Sequence, residues 1–467
     1  MSEGTTMTYI STRGAAPVLG FGAAMMTGLA RDGGLYVPQV VPRLAAPEIA
    51  ALAGQPYEEV VFRVMRPYLG GFLADDDFRG LIDRAYAGFH HAARAPLVQL
   101  GANHFLLELF HGPTLAFKDF AMQLIGQMMQ AALAGTGERI TIVGATSGDT
   151  GSAAIEAFRG LANVDVFILF PDGRVSEVQR RQMTTPVEGN CHALAIEGDF
   201  DAAQARVKDM FNDFAFRDGV RLAGVNSINW ARVLAQVVYY FYAAVALGAP
   251  QRAVSFTVPT GNFGDIFAGD IARRMGLPIE RLVIATNQND ILDRALRQGD
   301  YRTSGVRPSI SPSMDIQVSS NFERALFYAY GGDGRAVAAL MAQLGTGGFR
   351  IGRDALERLR ATFASGRCGE DETLATIART LATTGELLCP HTAVGVKVAE
   401  AHLGPTPMIT LATAHPAKFP DAVERATGLR PGLPAHMSGL LARPERMTRV
   451  PDDLAAIQAL VRERIAR

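Results

Sequence analysis

The chain has 467 residues, 48% of them hydrophobic, enough to bury one large core or two or three smaller ones. Its formal net charge of −1, with no basic cluster interleaved with aromatics, removes any electrostatic case for nucleic-acid binding. Cys191, Cys368 and Cys389 are far apart with no CxxC pair, which argues against a disulfide framework and a structural zinc and for a reducing, cytoplasmic compartment.

In chain order, Met1 to Thr6 reads as a short polar lead before an alternative start at Met7. Ala15 to Ala30 is apolar, but Gly20, Gly22 and Gly28 interrupt it and only Arg13 precedes it, so it reads as domain rather than targeting segment. Residues 1–95 hold several helical runs with little strand alternation and are expected to form a mostly helical lobe. The Gly112-Pro113 turn precedes an amphipathic run from Phe120 to Leu133, which places Lys118 in the first turn of a helix.

From there the order strand, glycine-rich turn, helix occurs twice. Arg139 to Val143 leads through Gly144–Gly151 into Ser152 to Phe158; Ala253 to Val258 leads through Pro259–Asp265 into Ile266 to Met275. Short apolar runs at Val164 to Phe170, Arg281 to Ala285 and Met408 to Ala412 complete the strands of an α/β protein with parallel sheets covered by helices. Trp230 to Leu247 nearly matches a bilayer in length, but it carries Arg232 and Gln236 and reads as a buried core helix, so no membrane span is expected. The segment 301–320, with Pro308 and Pro312, is a long loop suited to lining an active site and is the place to look for a lid. Residues 429–449 carry Pro431, Pro434 and Pro444 and read as an extended surface segment before a helix over 452–467. The expected division is an N-terminal lobe over 1–95, a catalytic α/β region of two interleaved subdomains over 96–425, and a C-terminal extension over 426–467.

Lysine is scarce. Of 45 basic residues only Lys118, Lys208, Lys397 and Lys418 are lysines. Arg serves as well for a solvated charge, whereas only an amine can become neutral and attack a carbonyl to form a Schiff base. Lys208 lies on a helix with polar residues at surface spacing and Lys397 in another helix-like run, so both read as solvated. Lys418 stands in the loop His415-Pro416-Ala417-Lys418-Phe419, a place suited to holding an anion. Lys118, at the start of a helix, meets a dipole that lowers an amine's pKa.

A loop of small residues entering a helix aims free N–H groups at one spot and binds phosphate. Neither Gly144–Thr150 nor Pro259–Asp265 has the lysine of a Walker A loop or the G-x-G-x-x-G of a dinucleotide fold. Two anion loops with a Schiff-base lysine fit a small phosphorylated aldehyde and a second phosphate, which pyridoxal phosphate carrying a phosphorylated substrate supplies. Neither His111 nor His415 belongs to a metal-ligand motif, and each reads as a satisfied hydrogen-bonding histidine; no metal is expected.

The stretches Phe110 to Phe120, Ala145 to Gly151, Asn226 to Arg232 and Pro259 to Asp265 together resemble threonine synthase of the longer bacterial and fungal type. So do Tyr9 to Gly14, Asp32 to Pro38, Ser313 to Ile316 and Thr413 to Phe419, so the resemblance covers nearly the whole chain. It implies a fold type II enzyme with pyridoxal phosphate between two α/β domains. By resemblance, Lys118 carries the cofactor as a Schiff base and then moves protons. Gly261, Asn262, Phe263 and Gly264 hold the cofactor phosphate, with Asp265 behind them, and Thr413 faces the pyridine nitrogen. Asp149 or Ser147 contacts the ring or substrate. Arg232 and Asn229 bind the substrate phosphate, with Thr150 and Lys418 as further candidates; the plain alternative for Arg232 is a structural ion pair. The implied reaction turns O-phospho-L-homoserine and water into L-threonine and phosphate in a monomer or small homo-oligomer. A phospholyase or dehydratase that releases a keto acid and ammonia is the alternative on the same fold.

Overall fold

A computed structural model describes residues 7–465 of the chain. The polar lead Met1 to Thr6 and the last two residues of the expected terminal helix lie outside the described residues.

Two sheets form the frame. The larger runs in the order Phe363–Arg367, Ile279–Thr286, Val254–Pro259, Met408–Ala412, His104–Glu108 and Leu97–Gly101, parallel except for its last pair. The smaller is all parallel, in the order Thr448–Val450, Cys191–Ile196, Val164–Pro171, Ile140–Ala145 and Leu222–Ala223. Val164–Pro171 and Val254–Pro259 are buried along their whole length, as parallel strands covered on both faces must be. This is why they read as unbroken apolar runs.

Helix Trp230–Ala246 passes through the middle and buries nearly every side chain, including Arg232 and Gln236. It packs against helices Tyr57–Met65, Lys118–Leu133 and Gly264–Arg274, so its all-round apolar surface is consumed inside the protein. Among the described residues no helix is long and apolar enough to cross a membrane.

The first 95 residues carry helices Phe21–Thr27, Ala46–Ala50, Tyr57–Met65 and Asp75–Tyr86 and one antiparallel pair, Tyr9–Ser11 with Tyr36–Pro38. This lobe shares its core with the sheets: Phe120 sits against Tyr57 and Phe89 with ring centroids 5.3 and 4.8 Å apart, and one apolar cluster extends from Tyr9 to Leu411.

Two segments are more ordered than their composition suggests. The stretch 301–320 is held by Asp315, which accepts from Ser309 Oγ (2.6 Å), Ser309 N (2.8 Å) and Asn287 Nδ2 (2.7 Å). Residues 429–449 fold into 3-10 turns at Ala435–Met437 and Leu440–Ala442 and lead into edge strand Thr448–Val450 of the smaller sheet before helix Leu454–Arg464.

Candidate active site

Chemistry-bearing residues collect just beyond the carboxyl ends of parallel strands, where helices begin with free N–H groups. Strand Ile140–Ala145 leads to Asp149, Val254–Pro259 to the 260–264 loop, and Met408–Ala412 to Thr413. Lys118 is the first residue of helix Lys118–Leu133. The loop before it is laced to the end of strand Met408–Ala412 by Leu109 N to Ala412 O (3.0 Å), Phe117 N to Thr413 O (2.9 Å) and His415 N to Leu115 O (3.0 Å).

The four lysines separate as their surroundings suggest. Lys208 is exposed, and Lys397 reaches Glu400 at the surface, 3.2 Å away. Lys118 and Lys418 are buried and share one carboxylate. Lys118 Nζ lies 3.2 Å from Asp149 Oδ2, and Lys418 Nζ lies 2.9 Å from Asp149 Oδ1. Gln179 Nε2 donates to the same Oδ1 at 2.9 Å. Burial opposes ionisation of Asp149, but Lys418 and Lys118 outweigh it and hold the carboxyl far below the usual range. Burial lowers the Lys118 amine, with Arg232 and Lys418 adding to the effect against the pull of Asp149. A buried amine displaced toward its neutral form is what carbonyl attack requires. The Lys418 ammonium is spent on Asp149 and on the Thr114 carbonyl at 2.7 Å. It therefore neutralises a protein carboxylate where an exogenous anion was expected. Asp149 likewise acts as the counter-ion of both lysines, while Ser147 and Thr150 remain partly exposed beside it.

The second loop suits a phosphate. Helix Gly264–Arg274 starts there, and Phe263, just before it, takes the left-handed conformation with φ 64°. At Gly261 a Cβ would come within 2.5 Å of Ser313 O, so only glycine lets segment 311–320 close on the loop. Ser319 Oγ donates to Gly261 O at 2.7 Å and Asn321 N to Asn262 O at 3.0 Å. Asp265, in this helix's first turn, is raised by burial to about 6, against the Tyr239 and Tyr240 hydroxyls, which donate to its Oδ1 at 2.6 and 3.0 Å. Its Oδ2 is buried without a partner.

Arg232 is buried and pushed down to about 10 by that burial. One Nη1 donates to Val225 O at 3.2 Å, while Nε has no partner. No carboxylate pairs with it among the described residues, so the structural ion pair considered for it is not formed there. Asn229 differs. Its amide donates to Met25 O (2.8 Å) and Gly224 O (2.9 Å), and its Oδ1 accepts from Ala231 N (3.0 Å). Both amide hydrogens and the oxygen are consumed in capping the core helix, which leaves nothing to offer a phosphate. Thr413 is buried and tied to the Lys118 loop through its carbonyl.

Gln179 carried no signal in the sequence, because its contact with Asp149 is made between the neighbouring helices Asp149–Phe158 and Glu177–Thr184. Tyr239 and Tyr240 carried one signal: two hydroxyls in an otherwise apolar helix must find buried acceptors. The Thr114 amide and hydroxyl hold Asp119, at 2.8 and 2.6 Å, next to the lysine. Among the described residues no group of three or more His, Cys, Asp or Glu is placed to hold a metal.

The residues fit pyridoxal phosphate: a buried amine whose pKa burial lowers, a glycine loop at a helix start, and an arginine with a free buried donor. Models of known families match along the chain: threonine synthase N terminus over residues 8–86, pyridoxal-phosphate dependent enzyme over 90–342 and threonine synthase, C-terminal over 392–461. The threonine synthase of Pseudomonas aeruginosa is 54% identical over 459 residues, covering 97% of this chain and 98% of that protein. A crystal structure of PLP-bound threonine synthase from Brucella melitensis is 58% identical with TM-score 0.96, covering 99% of this chain and all of that one (100%). The yeast threonine synthase structure is 38% identical with TM-score 0.91 over 98% of this chain and 99% of that one. The chain belongs to the threonine synthase family of pyridoxal-phosphate-dependent enzymes.

Proposed function

We propose that this protein converts O-phospho-L-homoserine and water to L-threonine and phosphate, with Lys118 as its catalytic residue. The observation that carries the reading is the buried Lys118 amine, lowered by burial and poised 3.2 Å from Asp149. Bound pyridoxal phosphate supplies the conjugated electron sink that makes the substrate's α- and β-protons acidic near neutral pH. Lys118 holds the cofactor and, once released by the substrate amine, moves those protons as general base and acid. Asp149 and Lys418 fix the charge around that amine. The Gly261–Gly264 loop and the start of the helix behind it seat the cofactor phosphate. Asp265 stands behind that loop, its Oδ1 held by the Tyr239 and Tyr240 hydroxyls. Arg232, through its unpartnered Nε, binds the substrate phosphate and stabilises the charge it develops on leaving. Water then adds at the β-carbon. Thr413 would offer the cofactor ring a neutral hydroxyl in place of a carboxylate. We place the enzyme in the cytoplasm, as a monomer or small homo-oligomer.

The test is an absorbance spectrum of the holoenzyme with product analysis after addition of O-phospho-L-homoserine, for wild type and Lys118→Ala. The expected result is a visible cofactor band that the substitution abolishes, with threonine and phosphate released in equal amounts. Keto acid and ammonia in place of threonine would assign the phospholyase reaction instead. A protein that forms no band with added pyridoxal phosphate would overturn the assignment of Lys118.

A further inference from the structure

A cavity of about 300 Å³ lies between helix Glu177–Thr184 and the C-terminal segment, at the lower end of the size range for small-molecule pockets, which begins at about 300 Å³. Thr114 reaches its wall, but Lys118, Asp149, Arg232 and the 261–265 loop do not. Pro113, Val187, Met437 and Leu440 give it an apolar lining. The polar wall is short of donors. Gln182 is 6% exposed; its amide nitrogen donates to Thr114 O at 3.1 Å, and its Oε1 is buried without a partner. Glu188 Oε2 is also buried and unpartnered. An acceptor left in that state is a standing cost to the fold that a donor from a ligand would remove. In this wall Arg159 serves two carboxylates, 2.9 Å from Glu156 and 3.8 Å from Glu188. Arg443, exposed on the cavity's rim, forms no ion pair among the described residues.

The unpartnered acceptors Gln182 Oε1 and Glu188 Oε2 inside call for an ammonium group, and a free guanidinium on the rim calls for a carboxylate. The apolar lining between them suits a short hydrocarbon. We propose that this cavity is a second ligand site, which takes a small zwitterionic α-amino acid with an aliphatic side chain. Its ammonium meets Glu188 and Gln182 Oε1, and its carboxylate meets Arg443. The site communicates with the reaction centre by a short path. Gln182 shares the Thr114 carbonyl with Lys418, and Thr114 holds Asp119, the neighbour of Lys118.

This inference does not depend on the reaction assigned above, because binding is read directly. Isothermal titration of the holoenzyme would use L-valine, L-leucine and L-isoleucine, with isobutylamine and isovalerate as probes lacking one charge each. The expected result is saturable binding of at least one amino acid at one site per chain. Arg443→Ala, at an exposed position, and Glu188→Gln, which keeps volume, each weaken it by about tenfold or more. The cofactor's visible spectrum stays unmoved, and Lys118→Ala binds as wild type does. Absence of saturable heat with all three amino acids overturns the proposal. So does binding that shifts the cofactor spectrum and survives Arg443→Ala, since the amino acid then occupies the site at Lys118. Equal affinity for isobutylamine overturns the zwitterion.

Discussion

Asp149 concentrates the electrostatics of the site on two oxygens, one facing Lys118 and the other shared by Lys418 and Gln179. Because Lys418 is fully buried, removing the carboxylate leaves an ammonium with only the Thr114 carbonyl. Breaking a buried pair in this way costs about 3–5 kcal/mol. Asp149→Asn, which keeps the shape, is therefore expected to lower the stability of the holoenzyme by an amount of that order, read from the urea midpoint. The pH dependence has a definite sign. The folded carboxyl titrates well below its unfolded value of about 3.9, so its stabilisation is present above that value and is lost as pH falls toward the folded pKa. Wild type should lose stability on acidification below about pH 4, and Asp149→Asn should show a shallower loss over the same interval. An unchanged midpoint in the variant would show that the two lysines do not depend on this carboxylate.

Two loops hold the chemistry, and each contains a non-glycine residue in the left-handed region: Leu115 with φ 63° before Lys118, and Phe263 with φ 64° before the phosphate-loop helix. Conformations of this kind cost about 1–3 kcal/mol and persist only where packing enforces them. Here the Phe263 ring is locked between Phe322 and Phe363, at centroid distances of 5.3 and 5.4 Å. Gly261 is the tightest point in the same loop. In Gly261→Ala the new Cβ meets a backbone carbonyl, Ser313 O, that no rotamer change can move aside. The loop or segment 311–320 must shift, and the expected outcome is at least about tenfold weaker pyridoxal phosphate binding with little loss of fold, measured by reconstitution of the cofactor-free protein. Wild-type affinity in this variant would remove the loop from the cofactor site. The chemistry of this element was legible because glycine and lysine have properties no other residue copies. Asn229 was misleading for the opposite reason, since a short amide suits a phosphate and a helix cap equally and only the positions of Met25 O and Gly224 O decide between them. Gln179 was invisible because its role exists only after two successive helices of the smaller sheet have packed side by side.

At the scale of the whole chain, the strands legible in sequence were those buried on both faces, such as Val164–Pro171, whose apolar runs are unbroken. Edge strand Phe363–Arg367 (Phe-Ala-Ser-Gly-Arg) has little strand propensity and is a strand because Ile279–Thr286 lies beside it. The N-terminal lobe was legible as helical, but its dependence on the rest was not, because the joining contacts span most of the sequence. Glu323 accepts from Thr12 Oγ1 (2.6 Å) and from Arg13 Nε and Nη2 (3.0 and 2.9 Å). Buried Arg324 donates to Tyr36 O and, through the same Nη2, to Ile228 O, both at the seam (2.8 and 2.6 Å). Trp230, the single tryptophan of the chain, stands at this seam, 6.0 Å from the ring centroids of both Tyr9 and Tyr68. Its fluorescence therefore reports whether lobe and sheets separate. A shared core predicts that fluorescence and far-UV circular dichroism give coincident urea transitions, with no earlier step in fluorescence. Glu323→Ala strips Arg13 and Thr12 of their acceptor. It is expected to move both transitions together to lower urea, by about 3 kcal/mol or somewhat less given the partial exposure of Arg13. A fluorescence change that precedes the loss of ellipticity, in wild type or in the variant, would instead make residues 1–95 a unit that unfolds by itself.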